Sequence, residues 1–355
     1  MRVVIISLFL FASSFGFAAG NEENHGGQQE ELDVKEIIFG HIVNDYSWHV
    51  FTTPGGTHVS IPLPVILYSE NSGFHVFMSS KFDHGHATYK NFKISEEGLN
   101  AGRIVEVNAR GEVVEGTLID LSITKVVVGL FIGSIVLLLI FLSAAKVANR
   151  NPKSAPKGIL SFVEPLILFV RDDIAKAVIG KHYNRFMPYL LTIFFFILIS
   201  NVFGLIPFPP FGANVTGNIS VTATLALFTF IVTTVNGNKN YWLHIFNAPG
   251  VPWWLKVPVP LMPIVELIGV FTKPIILAIR LFANMSAGHI VVLAFITLIF
   301  VFGSISAFAG IAASPFSVLF AIFIILLDLL VAFIQAFVFT LLSAIYFGMA
   351  VEEHH

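Results

Sequence analysis

Hydrophobic and polar positions change rhythm three times along this chain. Residues 1–20, MRVVIISLFLFASSFGFAAG, place Arg2 first, an apolar run from Val3 to Phe11 next, and small residues up to Gly20. A charged start, a short apolar core and a small-x-small site (Gly16-Phe17-Ala18 or Ala18-Ala19-Gly20) make a secretory signal. The run is short for a membrane span, so residues 1–19 are expected to be a signal peptide that exports the segment after it.

From about 40 to 115 the pattern alternates in short runs at Ser47–Thr52, Thr57–Leu67, Gly73–Ser79 and Gly102–Val107. Pro54-Gly55-Gly56 and Asn71-Ser72-Gly73 punctuate them, as hairpins require. This predicts a small β-rich exported domain over residues 20–120, preceded by a polar, acidic stretch at 21–36. Seven histidines fall in 20–120, densest at Asp83-His84-Gly85-His86. Solvated loop histidines are the expectation there, and no metal site is assigned.

The third rhythm is continuous hydrophobicity, long enough to cross a bilayer at about 1.5 Å per residue. Spans are expected near 122–145, 185–206, 219–235, 263–302 and 315–350. Residues 158–182 mix apolar positions with Glu164, Arg171, Asp172, Asp173, Lys176 and Lys181, which suits an amphipathic helix on the membrane surface. Residues 241–260, rich in tryptophan and proline, read as an interfacial connection. The last two stretches each run about 60 Å, twice a hydrocarbon core. They are expected to be a steeply tilted antiparallel pair joined through Gly303–Ser314. The fold class is therefore mainly α, multi-pass, with about five membrane-embedded helices, a surface helix and a small β-rich domain.

Composition fits that division. The 355 residues are 55% hydrophobic and 12% charged, with 37 phenylalanines and a mean hydropathy of +0.82. A soluble domain carries about a quarter charged residues, so a cytosolic enzyme and a disordered chain are excluded. A nucleic-acid binder relying on a strong positive field is excluded too. The net charge of −2 conceals 15 Asp/Glu against 6 Lys/Arg in residues 20–120 and 7 against 13 in residues 121–355. Lys146, Arg150, Lys153 and Lys157 come directly after the first span. By the positive-inside rule that end is cytoplasmic, in agreement with an exported N-terminal domain. With no cysteine, disulfides and thiolate chemistry are absent.

The candidate chemistry lies in the last two apolar stretches. The first holds Glu266, Lys273, Arg280, Asn284 and His289, the second Asp328 and Gln335. An arginine in hydrocarbon costs about 3 kcal/mol on insertion scales and about 10–17 in simulations, so it is retained for pairing or for transport. Both remain open: a packing ion pair with Asp328 or Glu266, or a place on a transport path. At about 100° per residue, Asn284 and Glu266 flank Arg280 on one face, with Glu266 about 21 Å toward one end. His289 lies about 180° round and about 13.5 Å the other way. Polar groups leave Arg280 in opposite directions on opposite faces, which fits two offset aqueous paths better than one straight pore. Asp328 and Gln335, seven apart, share a face. A histidine–carboxylate pair formed by His289 and Asp328 would relay protons or stand as a static hydrogen bond.

Pro274–Gly288, PIILAIRLFANMSAG, closely resembles the signature of the a subunit of F-type ATP synthases. The stretch Ile334-Gln335-Ala336-Phe337-Val338-Phe339, with Ile345-Tyr346 and Met349 to His354 after it, resembles that family's C-terminal stretch. Asn201–Pro207 and Ala213–Thr222 resemble its earlier hairpin. The likeness covers roughly residues 120–355.

The resemblance implies that Arg280 is the essential rotor-facing cation, with Asn284 and Gln335 its polar neighbours and Glu266 a carboxylate on the cytoplasmic exit side. It implies that His289 and Asp328 hold two positions filled in reverse order in some members. Gly204 stands where some members carry an acid. Implied partners are a ring of rotor c subunits, peripheral-stalk b subunits, an ATPase catalytic head and the lipid bilayer. The implied location is a bacterial inner membrane with the N-terminal domain periplasmic and the C-terminus cytoplasmic. The chain is then a non-catalytic, proton-translocating subunit without cofactor or metal, and no G-x-x-x-x-G-K loop occurs. The competing readings are a proton-coupled secondary antiporter, which predicts internal repeats not found here, and a bare anchor for the β domain.

Overall fold

A computed structural model describes residues 44–52, 58–85, 87–95, 100, 102–108, 110–114, 116–150, 155–206, 211–246 and 261–352. The expected signal peptide, the Pro54-Gly55-Gly56 turn, His86, Pro207–Pro210 and most of the 241–260 connection lie outside these residues. The chain divides into two units, one of Met1–Gly129, Gly204–Ala213 and His289–Ile325, the other of Leu130–Phe203, Asn214–Gly288 and Leu326–His355.

In the first unit the alternating runs become strands: β1 (Ser47–Thr52), β2 (His58–Pro62), β3 (Pro64–Ser69), β4 (Gly73–Met78), β5 (Phe92–Ile94), β6 (Ile104–Glu106) and β7 (Leu118–Asp120). They pair antiparallel as β1–β2, β4–β3–β7 and β5–β6. The predicted run 57–67 is two strands, interrupted at the buried Leu63. Strands β5 and β7, three residues each, were not expected, because so short a run carries no periodicity. At the β3–β4 turn the Ser69 hydroxyl accepts from Asn71 N at 3.1 Å, and Gly73 takes φ 82°, which closes a short hairpin. Val65 and Leu67 point inward onto Phe82 and Phe92 and form the domain's apolar core.

The same domain grips the start of the first membrane helix, α1 (Lys125–Arg150). A helix leaves its first N–H groups without partners in its own ladder. Here Lys125 N donates to Asp45 O at 3.0 Å and Val126 N to Asn44 Oδ1 at 3.2 Å. Buried Tyr46 donates its phenol to Asp120, whose other oxygen accepts from Ser122 N at 2.9 Å.

Helix α2 (Ile159–Phe169) continues through a π turn (Val170–Lys176) to Ala177–Ile179, and Gly180, with φ 68° and ψ −128°, breaks the helix before a 3-10 turn (Gly180–His182) and α3 (Tyr183–Gly204). The stretch is amphipathic, as the pattern predicts. Asp172 sits on the exposed side, paired with Arg171 and Lys176, while Val163, Val170, Ile174 and Ala175 join the core of the second unit.

Helix α4 (Ile219–Val235) begins at an Asn218 cap that accepts from Ser220 N at 2.9 Å. A bend of 104° leads from it into α5 (Lys239–Phe246). Helices α6 (Leu261–Ile305) and α7 (Ala307–Val351) have 45 residues each. Among the described residues four helical stretches are long and apolar enough to span a membrane, or five if α4 and α5 make one span.

The connection expected through Gly303–Ser314 is helical on both sides of Ser306, which caps α7 by accepting from Ala309 N at 3.1 Å. Small residues there are for close approach: a side chain on Gly310 would stand 2.8 Å from Gly303 Cα. Further along, Phe295 stacks on Phe320 with centroids 5.3 Å apart, and Lys273 lies over Tyr346 at 5.6 Å. These pairings run in opposite order along the two helices, which are therefore antiparallel.

Burial first, and Asp120 second, raise the Tyr46 pKa well above its usual 10.0. The fold holds the phenol neutral, so its contribution is complete below about pH 10 and is lost as pH rises through the folded value. Tyr46→Phe should cost about 1 kcal/mol at neutral pH, the net contribution of one hydrogen bond, because the Asp120 carboxyl left behind is exposed. It should also flatten the alkaline loss of protease resistance in the β domain. An unchanged alkaline profile in limited proteolysis would remove Tyr46 from this role.

Candidate functional site

Helix α6 has two unlike faces. Leu277, Ala278, Leu281 and Met285 are buried and belong to the core that includes Phe339 and Phe347. Their spacing of three and four is that of one helical face. Ile276, Arg280, Ala283, Asn284 and Ala287 are exposed on the other side. Arg280 forms no hydrogen bond or ion pair among the described residues, where the ion pairs join Asp172 to Arg171 and Lys176. Tyr346 lies within electrostatic range of it. Of the two readings open from spacing, the static pair with Asp328 or Glu266 is not formed. Glu266 is half-buried on the same helix.

Asp328 and Gln335 do share the inner side of α7, at 9% and 7% exposure. The Asp328 carboxyl rests on the backbone of Gly288, where an added methyl would stand 2.5 Å from Oδ1. Its Oδ2 is buried and has no hydrogen-bond partner among the described residues. Next to Gln335, buried Asn201 donates to Ala332 O at 3.4 Å and accepts from the Thr216 hydroxyl. The two arms of the α3–α4 hairpin are thus tied to each other and to α7.

In the first unit, His289 Nε2 lies over Gly204, 3.4 Å from where a side chain on that glycine would begin. That nitrogen too is buried without a hydrogen-bond partner among the described residues. Gly204, a departure from the family pattern by sequence, is here the floor under the imidazole.

Sequence reasoning missed a hydroxyl ladder in the second unit. Tyr189 OH and Thr229 Oγ1 are 2.8 Å apart, and Thr229 lies 3.5 Å from Ser343 Oγ. Thr229, Thr233, Tyr241, Lys273 and Tyr346 line one small cleft. The available signal was Thr229 and Thr233, four apart on a helix whose other hydroxyls are Ser220, Thr222, Thr224 and Thr234. Lys273 was noted in the sequence but given no role. Among the described residues no group of three or more His, Asp or Glu is placed to hold a metal ion.

Comparison with known proteins bears on the same residues. The family model described as "ATP synthase A chain" matches residues 128–348. A second model, described only as a domain of unknown function (DUF8433), matches residues 37–123. ATP synthase subunit a of Chlorobium phaeobacteroides is 46% identical over 243 residues, 66% of this chain and 67% of the relative. That of Chloroherpeton thalassium is 47% identical over 244 residues, covering 66% and 69%. The subunit of Pelodictyon phaeoclathratiforme is 46% identical over 247 residues, again 66% and 69%. These matches leave the antiporter and bare-anchor readings without support, and the chain belongs to the ATP synthase A chain family.

Proposed function

We propose that this chain is the proton-conducting stator subunit of an F-type ATP synthase in a bacterial inner membrane, with two offset half-channels meeting at Arg280. The observation that carries the reading is Arg280 itself, a permanent cation exposed on an apolar helix with no anion against it among the described residues. A neighbouring ring of c subunits, each with one buried carboxyl, supplies that anion in turn. Ala283 and Ala287, exposed on the same face, leave room for close approach.

A protonated carboxyl on the ring tolerates lipid, whereas an ionised one does not. Arg280 lowers the pKa of the arriving carboxyl and holds the carboxylate as it passes between the half-channels. Guanidinium keeps its proton in proteins, so it also blocks a direct leak. Asn284 and Gln335 are its polar neighbours. Protons enter by way of His289 and Asp328, and leave past Glu266. The unpartnered Nε2 of His289 and Oδ2 of Asp328 support this assignment, because a buried polar atom without a partner is costly unless it exchanges protons or meets water. Each charge moved through 100 mV yields about 2.3 kcal/mol. ATP chemistry belongs to the catalytic head, and b subunits hold the stator. Residues 1–19 act as a signal, residues 20–120 stand in the periplasm, and the C-terminus is cytoplasmic.

Three outcomes test the assignment in inverted membrane vesicles carrying the complex. Arg280→Lys should abolish proton-driven ATP synthesis, since lysine deprotonates when desolvated and offers no planar fork. Normal synthesis by that variant would overturn the reading. Gln335→Leu should slow synthesis without ending it, and an inert result would return Gln335 to packing. Gly288→Ala should push the Asp328 carboxyl aside at an overpacking cost of about 1–3 kcal/mol. Synthesis should then fall although the complex still assembles; full synthesis would show that the seat of Asp328 is immaterial.

A further inference from the structure

The sheet β4–β3–β7 has an apolar face that the membrane helices do not explain. Its inner side carries Val65 and Leu67, both fully buried. On its outer side Tyr68, Phe74, Val76, Met78, Ile119 and Leu121 are exposed by 44–65%. They form one surface in register: Tyr68 pairs with Phe74 and Ile119, Ile66 with Val76, and Pro64 with Met78. No charged residue occupies an outward position on the three strands from 64 to 68, 74 to 78 or at 119 and 121. Monomeric soluble domains rarely leave so contiguous an apolar patch in water.

The surface is joined to a membrane span without a free linker. Leu121 N donates to Ile66 O at 2.9 Å, Ile123 N to Pro64 O at 3.0 Å, and Lys125 N to Asp45 O at 3.0 Å. Chain direction alone would allow a tether; the first two bonds zip the segment to β3, and the third ties the first residue of α1 to Asp45. That helix has 26 residues. It measures about 39 Å, near the full thickness of a bilayer with its headgroups. Its first turn therefore lies at headgroup level, and so does the strand hydrogen-bonded just ahead of it. The outward series Ile119, Leu121, Ile123 leads directly into the first turn of that helix.

We propose that the outer face of the β4–β3–β7 sheet lies on the bilayer, with its side chains at the boundary between headgroups and acyl chains. The β domain is then a membrane-surface module. Uncharged apolar side chains with a tyrosine among them suit that boundary, where an amphipathic ring has both of its environments. The inference is independent of the proton path and holds whichever side of the membrane the domain occupies.

The chain has no cysteine, so a single one can be labelled on it. Nitroxides on Phe74→Cys and Leu121→Cys, and on Glu70→Cys in the β3–β4 turn as a water-facing control, are read in the assembled complex in phosphatidylcholine vesicles. Both face positions should collide more with oxygen than with a water-soluble nickel chelate, and the control should show the reverse. Nickel access equal to the control would place the face in water and overturn the proposal. Shielding from both quenchers would mean that another protein covers the face, and would overturn it equally.

Discussion

A guanidinium cannot shed its charge to enter hydrocarbon, so something must be paired with it. Arg280 makes that demand from an exposed position between Ile276 and Asn284, and no carboxylate among the described residues meets it. A buried ion pair would have been the simple solution within one chain, and Glu266 and Asp328 were the available acids. Neither is used. The cation stays at an exposed surface, and on the proposed reading the neutralising group arrives from a neighbour and leaves again.

The remainder of the second unit can be understood as holding that cation in place. Leu277, Leu281 and Met285 anchor the opposite side of α6 in a core shared with Phe339 and Phe347. Apolar packing alone says little about depth or rotation in lipid, because sliding one aliphatic face along another exposes nothing to water. Polar ties do fix register: Asn201 with Thr216 and Ala332, and Thr229 with Tyr189 and Ser343. Each such bond averages only about 0.6 kcal/mol in a membrane protein. Their value is directional, since a shift of one helix turn would leave several of them unmade.

Much of this was legible in the residues. Span α4 and strands β1 and β4 lie within a residue of where hydrophobic period and turn residues put them, because both signals are local. The failures share a different cause. The connection read at Gly303–Ser314 is shorter than the sequence suggested, because Gly303 and Gly310 let two long helices touch there, a contact that linear spacing does not show. The amphipathic stretch at 158–182 was legible, with Asp172 balancing Arg171 and Lys176 on one exposed side while Val170 and Ile174 are buried, but its π turn at 170–176 has no signature in a linear pattern. Tyr189, Thr229 and Ser343 were invisible because a hydroxyl on an apolar helix usually bonds its own backbone; their cross-helix contacts come from packing. The exposure of Arg280 could not be read from spacing, which allowed an internal pair equally well.

The β domain raises the same question of register from the other side. A domain on a flexible tether would leave α1 free to rotate and slide, and its own apolar sheet face free to find another surface. Asn44 and Asp45 close off that freedom at the first turn of α1 by capping it, so that turn and the sheet are one object. On the proposed seating of the sheet, the backbone groups at the start of α1 are satisfied by protein at headgroup depth, where competition with water is strongest. What the sheet rests on then sets the depth of that first turn, and depth is what a stator of the proposed kind has to control.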